Sequence, residues 1–315
     1  MQLKASAPGS LMLLGEYAVL YGKHALACAI DKRIYVTITP NMSNRITIHS
    51  SLYETYETEL SQLKIEKPFN FVLGVLQYYQ AKLKSGCDIH IVSDFSDKVG
   101  LGSSAAVTVA TIAALLAWLN IKISPHDLVR HGRNIIRQIQ GVGSGTDIAA
   151  SVYGGMIGYQ TQPLLVEKFS IIHPLVVLYS GFKTPTVEAI KKVQTDFSSH
   201  SQLFNYLIQS IGQCAFEGIQ HVRKSSWYEL GKIMNVQQGL MAALGVNTLL
   251  IQHMVENLRQ QSTILGAKIS GSGLGDCVVG LGELPSQYAF ALGHISSVSR
   301  ISLNMTLQGV VSEKV

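Results

Sequence analysis

A mixed fold of helices and strands is predicted, on three observations. Residues 33–50 alternate apolar and polar side chains around a turn cluster at Pro40 to Asn44, the pattern of a β-hairpin. Residues 105–119 form an almost unbroken run of helix formers and apolar side chains. The chain has 315 residues, 47% of them hydrophobic, enough to bury a sizeable core in one large domain or two of ordinary size.

Read in order, the periodicity predicts a helix over about 68–83, a strand over 87–93, the apolar helix beginning near residue 105, and a further helix over 125–138. Beyond Gly155 come two strands, one of them 172–179, then several helices between 185 and 262. Final strands are expected over 266–281 and 305–311. A soft boundary falls near 155–170, giving halves 1–165 and 166–315, although no Pro/Ser-rich linker marks it.

Composition excludes several classes of function. The longest apolar stretch, Ala105 to Leu119, is shorter than the roughly 20 residues a membrane helix needs. The first residues lack the apolar core of a signal peptide, which predicts a cytoplasmic protein. Four cysteines lie far apart with no C-x-x-C pair, against a zinc site and for reduced thiols. The formal charge is +5 with no basic tract, so nucleic acid is not an expected partner, while a small anionic molecule is.

Three glycine-rich segments, Ala7 to Gly22, Val99 to Ala106 and Lys268 to Cys277, carry the chemical signal. In the middle one, Gly100, Leu101 and Gly102 lead through Ser103, Ser104 and Ala105 into the apolar helix, with Ser103 or Ser104 as its N-cap. Free N–H groups and the positive end of the helix dipole at such a start favour a phosphate. Neither a Walker A loop nor a G-x-G-x-x-G fingerprint is present.

A glycine turn, Gly141 to Gly145, precedes Asp147. A carboxylate held there beside a phosphate cradle is a candidate base for phosphoryl transfer, or else an Asx turn or helix cap. Glu16 sits between apolar runs and needs a partner, either in a nucleotide site or as the mate of a lysine. Lys183 offers charge to an anionic substrate, or is an ordinary loop lysine. Phosphoryl transfer calls for Mg²⁺ held by hard oxygens. Ser104 is the candidate ligand, with Asp276 a second that could equally cap a strand turn. The histidines, including His24, His90 and His131, show no metal-ligand spacing.

Together the three segments, in this order and with Gly143 to Asp147 between the second and third, resemble the GHMP kinase superfamily of galactokinases, homoserine, mevalonate and phosphomevalonate kinases. The resemblance covers nearly the whole chain. It implies an α+β fold, with an N-terminal half like ribosomal protein S5 domain 2, a ferredoxin-like C-terminal half and ATP in the cleft between them. It implies further that Gly100 to Ala106 wraps the phosphates, that Ser104 contacts Mg²⁺, that Asp147 is the catalytic aspartate, and that Gly271, Ser272 and Gly273 complete the site. A homodimer is common among such proteins.

The first segment, with Gly15, Glu16 and Tyr17, looks most like mevalonate kinases, and Glu16, Tyr17 and Lys183 are the residues expected to face a hydroxy-acid substrate. The other segments look closer to phosphomevalonate kinases, whose pocket would converge more Lys and Arg side chains, with Arg133, Arg137 and Lys183 as the candidates. Two departures stand out: the lysine that usually follows Ala-Pro-Gly is Ser10, and the metal-binding glutamate eleven residues before the aspartate is Ile136. The expected function is transfer of the ATP γ-phosphoryl group to the hydroxyl of mevalonate. A phosphorylated acceptor, or a non-catalytic relative that only binds its ligands, are the alternatives.

Overall fold

The computed structural model describes residues 2–285 and 298–314. Two antiparallel-rich sheets and eight helices make up the described chain, an α+β architecture. The elements are β1 (Leu3–Leu14), β2 (His24–Pro40), β3 (Arg45–Ser50), β4 (Tyr56–Glu59), α1 (Asn70–Tyr78), β5 (Cys87–Ser93), α2 (Ser103–Trp118), α3 (Pro125–Gln140), α4 (Thr146–Tyr153), β6 (Met156–Thr161) and β7 (Leu164–Phe169). They continue with β8 (Leu175–Tyr179), α5 (Thr186–Asp196), α6 (Ser201–Arg223), α7 (Trp227–Ala243), α8 (Leu249–Arg259), β9 (Ile264–Ser270), β10 (Cys277–Gly282), β11 (Ser299–Ile301) and β12 (Val311–Lys314).

The larger sheet has eight strands in the order β12-β1-β2-β5-β3-β4, with β6 and β7 added beside β2. Residues 33–50 do contain two strands, but they do not pair with each other. β5 lies between them, antiparallel to β2 and parallel to β3. A parallel neighbour requires a crossover, here supplied by β4 and α1, so the predicted hairpin is corrected to a split pair. The predicted strand over 305–311 is also corrected: Met305 makes only a bridge to Ile30, and the strand that returns to β1 is β12.

β1 from Ala7 to Leu14 and β2 from Ala25 to Ile30 are buried on both faces. Met12, Ala25 and Ala27 point into a core shared with α1 to α4, whereas Leu11, Leu13, Leu26, Cys28 and Ile30 point into a second core. That second core also contains Val177, Val279 and Leu281 of the smaller sheet, together with Ala215 and Ile219 of α6. Successive strand side chains face opposite ways, so a strand between two cores reads as a continuous apolar run. The smaller sheet has four strands in the order β11-β8-β10-β9, and its other face joins α5 to α8 in a third core. Among the described residues no helix is long and apolar enough to cross a membrane, and all four cysteines are free and buried.

Sandwiching β1 in this way fixes the site. The loop before α2, the start of α4 and the β9–β10 turn all converge near residues 9–17.

Candidate active site

α2 begins without a side-chain cap. Its N-cap is Gly102, at φ 69°, and neither Ser103 nor Ser104 caps it, contrary to the sequence expectation. The left-handed turn suits glycine alone, because a Cβ at Gly102 would lie 2.1 Å from Ser10 Oγ. With no cap, the first amides of the helix keep their donors, as helix geometry leaves them without partners. The two amides before them are occupied: Gly100 N donates to Asp276 Oδ1 at 2.6 Å and Leu101 N to the Val99 carbonyl at 2.8 Å. Gly102, Ser103, Ser104 and Ala105 line the cavity at this uncapped helix start, and Gly100 shapes the loop before it. Leu101 is corrected to a core residue, 1% exposed and packed in the second core.

Asp147 is in the first turn of α4, whose N-cap is Gly145. It is neither the cap nor part of an Asx turn. Ser10 Oγ, on β1 and buried, donates to Asp147 Oδ1 at 2.8 Å, so a neutral hydrogen bond stands where the resembling kinases carry a lysine. Burial pushes the Asp147 carboxyl above the ordinary carboxylate value, the Ser10 hydroxyl and the charge of Lys183 hold it down, and Glu16 raises it. Asp276, at φ 70° near the end of the third glycine segment, is raised by burial and held down by Lys183 and the Gly100 amide. Among the described residues, Oδ2 of each aspartate has no hydrogen-bond partner.

Glu16 takes the second of the roles open to it. Its Oε1 accepts from Nζ of Lys268, a side chain fully buried on β9, and its Oε2 from Nε2 of Gln237 on α7. Gln237 Oε1 in turn accepts from Gly15 N at 3.0 Å. Both carboxylate oxygens are thus engaged by protein, so Glu16 links the first and third glycine segments while also reaching the wall of the cavity beside Asp147. Tyr17, at φ 61°, adds a second link by donating its hydroxyl to the Ser272 carbonyl at 2.6 Å.

Two cavities meet at the loop. The smaller, about 210 Å³, is walled by Ser10, Asp147, Asp276, Gly271 and Ser272 with the apolar Met12, Leu20 and Ile190. The larger, about 760 Å³, is lined by Leu52, Tyr53, Phe69, Asn70 and Ile91. Ser103, Ser104, Gln140, Lys183 and Thr186 line both. Glu16 and Tyr17 also reach the smaller wall. Gly273 does not, because it turns against Val246. Ile136 lines the smaller cavity with an apolar side chain. Arg133 and Arg137 line neither cavity and are hydrogen-bonded to the carbonyls of Thr161 and Gly143. Sequence reading missed the Ser10 contact to Asp147 and the role of Lys268, although a single charge in the apolar strand Ile264–Ser270 signals a buried partner.

Two family models match the chain. The GHMP kinases N terminal domain matches residues 70–155 and the GHMP kinases C terminal matches residues 215–292. The chain is a GHMP kinase. This kinase is 32% identical over 325 residues to a mevalonate kinase of Thermococcus sibiricus, covering 96% of this chain and 97% of that protein. It is 30% identical to a mevalonate kinase of Saccharolobus solfataricus over 89% of this chain and 90% of that one. The kinase shares its fold with the mevalonate kinase of Methanococcus jannaschii, at a TM-score of 0.78 and 23% identity over 96% and 98% of the two chains. As a GHMP kinase it is an ATP-using phosphotransferase with an alcohol group as acceptor.

Proposed function

We propose that this kinase transfers the γ-phosphoryl group of ATP to the primary hydroxyl of mevalonate. One observation carries the choice of acceptor: among the described residues, the cavity beside Asp147 is lined by a single cationic side chain, Lys183. A phosphorylated acceptor would bring further negative charge against Asp147, Asp276 and the triphosphate, and the arginines that would balance it line neither cavity and are hydrogen-bonded to backbone carbonyls. A singly charged hydroxy acid does not meet that barrier. Whole-length similarity to mevalonate kinases supports the same reading.

In this reading the nucleoside occupies the larger, more apolar cavity and the triphosphate crosses the Gly102 to Ala105 amides into the smaller one. Asp147 accepts the proton of the acceptor hydroxyl as its oxygen forms the new bond to phosphorus, and ADP leaves as the bridging bond breaks. Ser10 fixes the carboxylate that does this. Gly271 and Ser272, held by Glu16 and Tyr17, close the wall opposite the loop. Residues 1–165 and 166–315 are the corresponding functional halves, and the reduced, ATP-supplied cytoplasm is the setting they suit.

Mg²⁺ belongs to this proposal as well. The oxygens of Ser104 and Asp276 suit a hard cation, whereas Ile136 offers none, and among the described residues no group of three His, Cys, Asp or Glu side chains converges. Ser104 would hold the ion together with phosphate oxygens and water, where it screens phosphate charge. The test is an ATP-consumption assay with mevalonate, phosphomevalonate, homoserine and galactose. Mevalonate is expected to give the highest kcat/KM. A preference for phosphomevalonate, or activity confined to homoserine or the sugar, would overturn the acceptor assignment.

A further inference from the structure

Charge balance at the junction of the two cavities is incomplete without a cation. Phosphoryl transfer would bring a triphosphate and the departing ADP alongside Asp147 and Asp276, and the side chain next to Asp147 on β1 is the neutral Ser10. Lys183 is the cationic side chain that lines both cavities. It forms no ion pair among the described residues. Its Nζ makes two long hydrogen bonds, 3.3 Å to the Asp97 carbonyl and 3.5 Å to the Val99 carbonyl, immediately before the glycine loop. An ammonium carries three donors, so these contacts aim it without saturating it.

The backbone around Lys183 is pinned on both sides to the third glycine segment. Asp276 N donates to the Phe182 carbonyl at 2.7 Å, Ser180 N to the Asp276 carbonyl at 2.9 Å, and Thr184 Oγ1 to the Leu274 carbonyl at 2.9 Å. A flexible surface lysine has no such frame. The charge of Lys183 also acts on both aspartates, holding their carboxyls down against burial.

We propose that Lys183 is a catalytic cation of this kinase, contacting the transferred phosphoryl group from the C-terminal half where the two cavities join. The inference rests on the triphosphate placement proposed above. Lys183 exchanges no proton in the reaction: the alcohol proton goes to Asp147, the acceptor oxygen–phosphorus bond forms, and the β-oxygen–γ-phosphorus bond breaks. The ammonium neutralises charge on the phosphoryl oxygens and on the departing β-phosphate while that happens.

The test uses the full chain with Lys183→Met, which keeps most of the aliphatic stem of a half-buried side chain. Loss of a preorganised donor to transition-state charge should lower kcat by about 10²- to 10³-fold, with the KM for the acceptor little changed. AMPPNP affinity should fall by about tenfold while ADP affinity holds, because only the triphosphate reaches Lys183. Lys183→Cys alkylated with 2-bromoethylamine, which rebuilds an ammonium at that reach, should recover activity. An unchanged kcat would overturn the inference. So would a raised acceptor KM at constant kcat, which would put Lys183 on the acceptor carboxylate, or an unchanged AMPPNP-to-ADP affinity ratio. That ratio needs no acceptor. A wild type that prefers another alcohol while Lys183→Met still loses the ratio would correct the acceptor and leave Lys183 where it is.

Discussion

Asp147→Asn is expected to lower kcat by about 10²- to 10⁴-fold, the range of a positioned general base, while AMPPNP still binds. In the proposed placement the Gly102 to Ala105 amides hold the nucleotide, and the substitution leaves this helix start in place, while Asn preserves an oxygen for the Ser10 hydroxyl. A protein that only bound its ligands would lose nothing. The pH profile should carry the same signature. Because burial raises the Asp147 carboxyl, the acid limb of kcat should lie above the ordinary aspartate value of about 3.9.

Stability should move the other way. A carboxyl raised in the folded state favours folding below its unfolded pKa, and that contribution is lost as pH rises through the folded value. At neutral pH the wild type therefore bears the cost of a poorly solvated carboxylate, and Asp147→Asn should melt at the same temperature or higher. The difference should close as pH falls below the carboxylate range. Thermal melts between pH 3 and 8 check this, and a variant that melts well below the wild type at pH 8 would contradict it.

Breaking the Glu16–Lys268 pair should have the largest effect on stability. Glu16→Ala leaves the buried Lys268 ammonium without its carboxylate, a change that costs about 3–5 kcal/mol for a buried pair. It also frees Gln237, which bridges Glu16 to the Gly15 amide. Glu16→Met combined with Lys268→Met should recover most of that loss, since an apolar pair of similar volume carries no desolvation penalty. Urea unfolding of the two variants measures both terms. A loss below about 1 kcal/mol in Glu16→Ala would mean that Lys268 sheds its charge readily or finds another partner. The apparent Kd for AMPPNP should weaken in parallel, because this pair ties the β1 turn to the β9 strand behind Gly271.

The chemistry was legible in the sequence where a local pattern carries it. Glycines at 100 and 102, paired serines and an apolar run mark a tight turn into a helix, the proposed phosphate cradle, because each residue acts on its immediate neighbours. Strand pairing was less legible. Residues 33–50 hold the alternation of two strands, yet what separates them is β5, encoded some forty residues later. The second half of β1 and the first part of β2 show no alternation, because Leu11 to Leu14 and Ala25 to Ile30 lie between two cores and need no polar face. The cap of α2 was misread for a different reason: serine is the common N-cap, but here Gly102 takes the left-handed turn and the serine side chains stay in the site. Lys183, Ser10 and Asp276 meet from three distant segments, and only the fold brings them to Asp147.

A crystal structure of the kinase with AMPPNP would show directly where the triphosphate lies. The terminal phosphoryl group is predicted at the junction of the two cavities, within hydrogen-bonding reach of amides between Gly102 and Ala105 and facing both Asp147 and the Lys183 ammonium. A triphosphate bound away from the start of α2, or a terminal phosphoryl group turned away from Asp147, would contradict the account.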